Sequence, residues 1–427
     1  MSAVTPSQPH QVAQRRDFWV LMGYAVVLGV FGALFALAFM GVVKVGGGWY
    51  SPTSNTWMGG HWWWVAVSGA AGVAVGLLRM VTKLPDKTPG LVEDMQDQYV
   101  DPAMVTGIAL VSAASLVGGA SLGPEKALGT VGGGVGQWLA QKRGRDLEDR
   151  QVATLSGFAG AYGGLFSSTV LVTMMIIELV RPGGRRFTKV LVSCVLSGSV
   201  SFGIYFAVAG AVFLDAYPVP AYSYKNWYLV AGVGLGLLAA VLVTVLGVIV
   251  KGVERAFDAM KAPSLVKSTI GGLAFGVIGV ALPLTMFTGS GQLSVVLKDG
   301  STLGLGLVVV LVLAKMVTFA VSAGSGFIGG PIFPTLFIGG SAGVAVHLAV
   351  PGLPLGLTFA CLLAAVPGAL VAAPFTFVLL AAFLTEVGAL NTAPVLLAVV
   401  TAYLAVEAVK YVMVGRKAEA AASAQPA

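Results

Sequence analysis

The stretch "ASLGPEKALG", residues 120–129, places a Gly-Pro pair, an acid and a base inside an apolar chain. Proline suits the start of a helix because its missing N–H costs no hydrogen bond there, and the preceding glycine lets a ligand approach the backbone closely. The free N–H groups and the positive end of the dipole at such a start attract anions. Gly123-Pro124 therefore predicts a helix N-terminus that binds an anion, with Glu125 and Lys126 beside it.

Two blocks of the chain recur in the same order, shifted by roughly 205 residues. The matching blocks are residues 115–136 with 322–343, and residues 163–180 with 368–387. In the first match, Gly330-Pro331 takes the place of Gly123-Pro124. Repeated helices that Gly and Pro interrupt at matching positions indicate a binding site at the repeat interface, near the middle of a membrane.

The composition identifies the class of protein. Hydrophobic residues make up 57% of the 427 residues and charged residues only 10%, with a mean hydropathy of +0.89. A soluble domain carries about 25% charged residues, so the sequence predicts an all-α integral membrane protein. Several apolar runs are shorter than the roughly 20 residues that span a bilayer, which predicts tilted and broken helices. We assign residues 15–414 to one transmembrane domain and expect disordered cytoplasmic ends at 1–14 and 415–427.

The net charge of +7 lies mostly in basic segments that flank apolar runs. The positive-inside rule places these segments, and with them both termini, on the cytoplasmic side of a cell membrane. Membrane topology accounts for the basic residues, so no nucleic-acid partner is expected. The few histidines and cysteines are scattered, and neither a metal-ligand set, a cofactor motif nor a nucleophile with its base is visible. An enzyme is therefore not predicted.

Further elements have the form of the first helix start. "KTPGLVED" contains Pro89, "IGGPIFPT" contains Pro331, and "ALNTAPVLL" brings Asn391 and Thr392 in front of an apolar run. A single such start, taken alone, is better explained as an ordinary capped helix. Several positive helix ends directed at one place, however, would select anions without a buried Lys or Arg.

These residues resemble the CLC family of chloride channels and chloride/proton antiporters, from about residue 18 to residue 414. Residues 324–340 are similar to the family's GxFxP motif, with Gly330 and Pro334 at the motif's ends. The other similarities are residues 118–129 to the G(K/R)EGP segment, residues 86–94 to the GSGIP segment, and residues 166–182 to a helix with a cytoplasmic acidic pair. The resemblance implies a homodimer whose subunits each have an anion pathway between inverted halves, at about 60–215 and 226–414.

Two departures from the family alter the expected mechanism. The position of the gating glutamate is Leu122, and the position of the internal proton-transferring glutamate is Leu179. Leucine carries no proton, so passive conduction of chloride or a similar small anion, without proton coupling, is the simpler expectation. Two alternatives stay open: an anion/proton antiporter that uses Glu125 as a relocated gate, and a non-conducting membrane scaffold or sensor.

The resemblance also implies a serine and a tyrosine hydroxyl at the anion, and both are missing here. The serine position is Asp86, so either Lys87 neutralises this acid or Thr88 supplies the hydroxyl. Asn391 or Thr392 stands in the tyrosine's place.

The backbone donors of the expected anion site can also be assigned. Pro331 has no N–H, which leaves those of Ile332 and Phe333. The expected anion pathway comprises Lys87, Thr88, Ser121, Leu122, Gly123, Glu125, Lys126, Gly330, Ile332, Phe333, Asn391 and Thr392.

The two charges after Pro124 have three interpretations. Glu125 complements the dipole of its own helix while Lys126 pairs with it or with another acid. Alternatively, Glu125 is a relocated gate or proton carrier. In the third interpretation, Lys126 or Lys87 lines an aqueous vestibule and raises the local anion concentration.

Overall fold

The computed structural model describes residues 16–50, 60–210 and 216–423, without the side chains of 185 and 414–423. Over these residues the chain forms fifteen α-helices, and its one β-type feature is a single backbone bridge. Eight of the helices are long and apolar enough to cross a membrane. The chain is therefore an all-α multi-span membrane protein, as its composition predicts.

The helices of the first half are α1 (Arg16–Gly48), α2 (Trp63–Val81), α3 (Leu91–Asp97), α4 (Pro102–Val117), α5 (Glu125–Lys142), α6 (Leu147–Leu165), α7 (Thr169–Val180) and α8 (Gly184–Ala209). Those of the second half are α9 (Tyr228–Ala259), α10 (Ser264–Ala281), α11 (Ser290–Gly324), α12 (Ile332–Ala349), α13 (Leu355–Val371), α14 (Pro374–Thr385) and α15 (Thr392–Ser423). A short 3₁₀ turn, Pro283–Thr285, lies between α10 and α11.

The helix lengths repeat between the halves. Gly304, with φ 77° and ψ 158°, divides α11 into two helical segments that correspond to α3 and α4. The first two helices have 33 and 19 residues, and their counterparts α9 and α10 have 32 and 18. Helices α5 and α12 have 18 residues each, and α7 and α14 have 12 each. This correspondence favours counting α1 with the first half, which then begins near residue 16 instead of residue 60.

The chain ends differ in part from the sequence-based expectation. Residues 415–423 were expected to be disordered, but their backbone continues α15 to Ser423. Alanine, the strongest helix former, is abundant in this stretch and favours continuation of the helix over disorder. Residues 1–14 and 424–427 lie outside the described part of the chain.

Short helices account for the broken segments that the apolar runs predict. Helices α7 and α14, with 12 residues each, extend only about 18 Å at 1.5 Å per residue, less than the hydrocarbon core of about 30 Å. Chain segments between such helices can exist at membrane depth only where protein or a water-filled cavity surrounds them. The fold therefore brings non-helical backbone into its interior.

Glycine allows the helices around this interior to approach closely. Gly132 of α5 and Gly157 of α6 face each other, and a methyl group on either would overlap the backbone of the other. Lipid provides no hydrophobic driving force between helices, so their association depends on close packing, which small residues at the contact allow. The α5–α6 contact thus fixes the direction of α5, the helix that begins at Glu125.

Ion pairs join three helix starts at one end of the molecule. Arg145 contacts Asp17 at 3.1 Å, and Lys189 contacts Glu148 at 2.6 Å and Asp149 at 3.5 Å. The starts of α1, α6 and α8 therefore lie on the same side of the membrane, together with the basic segments 142–150 and 181–189.

The Gly132–Gly157 contact gives a stability prediction. Gly157→Ala should lower the free energy of unfolding by about 2 kcal/mol, because overpacking a tight contact forces the helices apart. The midpoint of thermal unfolding in detergent measures this loss. Gly203→Ala is the matched control, since a methyl group at Gly203 of α8 meets open space. Equal midpoints for the two variants would contradict the assigned contact.

Candidate functional site

The two Gly-Pro helix starts meet at one point. The N–H of Gly123 donates to the carbonyl of Gly330 at 2.8 Å, and the N–H of Gly330 donates back to Gly123 at 2.8 Å. Helices α5 and α12 begin just beyond this antiparallel pair, with Pro124 and Pro331 at their N-cap positions. We call residues 121–125 and 328–333 the crossing. The structure therefore brings together the two helix ends that the internal repeat predicts as partners.

Two serines brace the crossing symmetrically. The Ser322 hydroxyl accepts the N–H of Ser121 at 3.1 Å, and the Ser115 hydroxyl accepts the N–H of Ile328 at 3.1 Å. The two hydrogen bonds are equivalent in the internal repeat. Ser115 corresponds to Ser322 and Ser121 to Ile328, at the offset of 207 residues that also relates Gly123 to Gly330. The braces satisfy backbone N–H groups that would otherwise be buried without a partner.

Glu125 breaks this symmetry. Its carboxylate Oε1 accepts the N–H of Ile332 at 2.6 Å, and the side chain is fully buried. It lies against Gly123 and Gly330, where a methyl group on either glycine would overlap the carboxylate. Oε2 has no hydrogen-bond partner within the described part of the chain. Glu125 is the first residue of α5, yet it caps the opposite helix α12 instead of complementing only its own.

Lys126 faces away from this carboxylate, toward α3. Its ammonium contacts Asp94 at 2.5 Å, and Asp94 also accepts the Thr130 hydroxyl at 3.3 Å. Both charged side chains are less than a tenth exposed. Lys126 therefore pairs with another acid, one of the arrangements that the sequence suggested, and it is not a vestibule residue.

A cavity of about 660 Å³, here called the vestibule, reaches the crossing at Ile328. Arg79 of α2 lies on its wall, and Lys87, Thr88 and Asp86 line it. The Arg79 guanidinium donates to the carbonyls of Asp86 at 2.9 Å and Gly326 at 3.1 Å, so it ties the segment before α3 to the segment before α12.

Lys87 does not neutralise Asp86 in a direct ion pair. Its ammonium contacts Asp258 at 3.4 Å, and both side chains are mostly exposed. The other charged vestibule residues are Arg79, Lys267, Asp86, Glu93 and Glu254. Four acids therefore face three bases in the vestibule, and an exposed pair such as Lys87–Asp258 attracts an anion only weakly. Thr88 lines the vestibule as a hydroxyl side chain, as do Ser264 and Ser325.

The structure does not bring Asn391 and Thr392 to the crossing. The Asn391 amide donates to the carbonyls of Val387 at 2.9 Å and Tyr222 at 3.3 Å, and the Thr392 hydroxyl donates to Ala389 at 2.5 Å. The physical reason lies in the repeat: these residues begin α15, the counterpart of α8, and not a counterpart of α5 or α12. A proline before an apolar run misled the assignment.

Leu122 and Leu179 are both buried apolar residues, as their types suggest. Leu122 packs against Gly329 at the crossing. Next to Leu179, the carboxylate of Glu178 accepts the N–H groups of Phe375 at 2.9 Å and Thr376 at 3.0 Å. Glu178 thus caps the start of α14 and has both oxygens bonded.

Three buried residues around the site escaped the sequence analysis. They are Arg79, Tyr162, whose hydroxyl donates to the Glu125 carbonyl at 2.7 Å, and Lys315. Arg79 lies at the end, and Lys315 in the interior, of an apolar run long enough to span a membrane. A charge within such a run is expensive in lipid and is itself a signal of function.

Glu125 binds one of the backbone donors that the sequence predicts for an anion. The start of α12 offers N–H donors and a positive dipole end, and the sequence assigns these donors to an anion. The tethered carboxylate now accepts the N–H of Ile332. A free anion can bind that N–H only after the carboxylate has moved away.

The serine braces predict equal losses of stability. Ser322→Ala and Ser115→Ala should each lower the free energy of unfolding by about 1–3 kcal/mol, because each leaves a buried N–H unpaired. Ser112→Ala, on the same helix as Ser115, is the control, since the buried Ser112 hydroxyl has no partner among the described residues. Thermal unfolding of the purified variants measures the losses. A loss for Ser112→Ala as large as for the braces would contradict this assignment.

Comparison with known proteins agrees with this geometry. A family model described as voltage gated chloride channel matches residues 92–407. The ion-transport protein YfeO of Salmonella newport (strain SL254) and of Salmonella typhimurium is 27% identical over 354 residues, covering 79% of this chain and 82% of the relative.

Solved structures share the fold. A slow cyanobacterial Cl⁻/H⁺ antiporter has a TM-score of 0.76 at 19% identity and covers 91% of this chain and 94% of its own. A CLC-type fluoride/proton antiporter has a TM-score of 0.74 at 17% identity, with 90% and 94% covered. The chain therefore belongs to the voltage-gated chloride channel (CLC) family, whose members transport anions across membranes.

Proposed function

We propose that this protein exchanges a small anion for protons, and that the Glu125 carboxylate alternates with the anion at the crossing. The observation that carries the proposal is the hydrogen bond from the Ile332 N–H to the fully buried Glu125. Passive conduction was the simpler expectation while the proton-handling positions were leucines. A carboxylate on the predicted anion donors favours the antiporter alternative.

Competition follows from electrostatics. Two negative charges that share one set of buried donors repel strongly, because the protein interior screens them far less than water does. The anion and the ionised Glu125 therefore exclude each other from the start of α12. Transport of the anion requires the carboxylate to leave or to become neutral.

Protonation provides the neutral state. A carboxyl group that leaves the Ile332 N–H loses its charge-assisted hydrogen bond, and a buried carboxyl without such a bond favours the protonated form. Because Oε1 accepts the Ile332 N–H, Oε2 is the oxygen that takes the proton in this proposal. Glu125 thus supplies a proton carrier although Leu122 and Leu179 cannot.

The transported anion and the assembly are part of the proposal. Chloride and fluoride are the anions to test, since two proteins of similar structure are a chloride/proton and a fluoride/proton antiporter. We further propose a homodimer in a cell membrane. The basic segments on one side of the molecule support cytoplasmic termini by the positive-inside rule.

Flux from liposomes tests the exchange. Vesicles with the purified protein are given an outward chloride or fluoride gradient, and anion release and external pH are recorded together. The wild-type protein should move protons against their gradient at a fixed ratio to the anion. Glu125→Gln should reduce proton movement by about a hundredfold or more and leave anion flux, because a glutamine cannot carry the proton.

The control and the other outcomes separate the remaining candidates. Glu386→Gln changes an exposed acid beyond the end of α14 and should leave both fluxes unchanged. Anion flux without proton movement in the wild-type protein would contradict the exchange and support passive conduction. Absence of any anion flux would support a non-conducting scaffold or sensor.

A further inference from the structure

Lys315 is a fully buried lysine in the interior of α11. Its ammonium donates to the carbonyls of Thr285 at 3.0 Å, Met286 at 3.3 Å and Phe287 at 2.8 Å. It also lies over the ring of Phe337 of α12, 5.2 Å from the ring centre. Neither the proposed exchange nor the serine braces use this residue.

The surroundings suit the charged form of the side chain. Three carbonyl oxygens match the three N–H donors of an ammonium, whereas a neutral amine has only two N–H donors and a lone pair. The face of an aromatic ring also attracts a cation. Within the described part of the chain, no carboxylate lies within ion-pair distance of Lys315, so its positive charge is not cancelled by a neighbour.

The position of Lys315 relates this charge to the pathway. Lys315 and Ser322 are seven residues apart on α11, which puts them on the same helix face. Ser322 is the brace that binds the crossing at Ser121. An added Cβ at Gly289 would lie 3.2 Å from the Lys315 ammonium.

A second cavity, of about 540 Å³, begins beside Gly289. Thr288 and Ser290 line it, and it extends to Leu116, the neighbour of the other brace. Lys315 therefore contacts Phe287, which lines this cavity, while Ser322 of the same helix contacts the crossing.

The charge belongs to one half only. The repeat-equivalent residue of Lys315, at the offset of 207 residues, is the buried Ile108 of α4. A residue needed merely to pack the repeated fold would not have to be charged in one copy and apolar in the other. The asymmetry, like that of Glu125, points to a function on the pathway.

We propose that Lys315 is a specificity-determining residue, a fixed positive charge that raises the occupancy of the anion between the second cavity and the crossing. The proposal rests on anion transport through the crossing, and it holds with or without proton coupling. At about 10 Å, the diameter of a helix, a unit charge in a medium of effective dielectric constant about 20 changes anion affinity by about tenfold.

Neutralising the lysine tests this. Lys315→Gln keeps two N–H donors for the carbonyls and removes the charge. It should raise the KM for chloride in liposome uptake about tenfold and change the maximal rate much less. Lys315→Arg keeps the charge and should retain the wild-type KM.

A second pair of variants leaves the lysine in place. Gly289 has φ +94°, a conformation that Asp and Asn tolerate better than other side chains. Gly289→Asp puts a carboxylate on the ammonium and should raise the KM as Lys315→Gln does. Gly289→Asn has the same size without the charge and should leave the KM near that of wild type.

An exposed lysine on the same cavity provides the control. Lys44→Gln removes an equal charge that water screens, so the KM should change less than about twofold. Folded Lys315→Gln and Gly289→Asp proteins with a wild-type KM would overturn the proposal. If the Lys315 variants do not fold, equal KM values for Gly289→Asp and Gly289→Asn would also overturn the proposal. Proton movement recorded in the same vesicles reports on the exchange separately.

Discussion

The N–H groups at a helix start inside a membrane need hydrogen-bond acceptors. This requirement organises the interior of the protein. At the start of α12 the acceptor is the carboxylate of Glu125, which reaches across from the repeat-equivalent helix α5. Helix dipoles and buried N–H donors favour a negatively charged acceptor at this helix start. The question for function is whether a tethered or a free anion occupies it.

Two helices of the second half are capped at their starts by an acid of the first half. Glu178 of α7 caps α14, just as Glu125 of α5 caps α12, so in each case an acid of the first half binds the start of its repeat partner. The two acids differ in their surroundings. Glu178 is only half-buried and uses both oxygens, which is suited to a permanent cap. Glu125 is fully buried and uses one oxygen.

Part of the site could be predicted from the local backbone preferences of Gly and Pro. Gly and Pro restrict where helices begin, so the sequence was sufficient to identify both helix starts at the crossing and the repeat that relates them. The reach of Glu125 was not predictable, because it depends on two facing glycines, Gly123 and Gly330, whose missing side chains leave room for the carboxylate. Asn391 was assigned to the anion pathway because sequence similarity alone cannot distinguish the start of α15 from the helix starts at the crossing. Lys315 was missed because a single charge hardly alters the hydropathy of a long run.

Anomalous scattering from bromide would show whether Glu125 and a free anion compete for the Ile332 N–H. Crystals of the wild-type protein and of Glu125→Ala, which removes the carboxylate, are soaked in bromide under identical conditions. We expect a bromide peak beside the Ile332 N–H in the variant and none there in the wild-type protein. A bromide bound to that N–H while the Glu125 carboxylate is still in place would contradict it, as would an empty site in a variant that transports the anion.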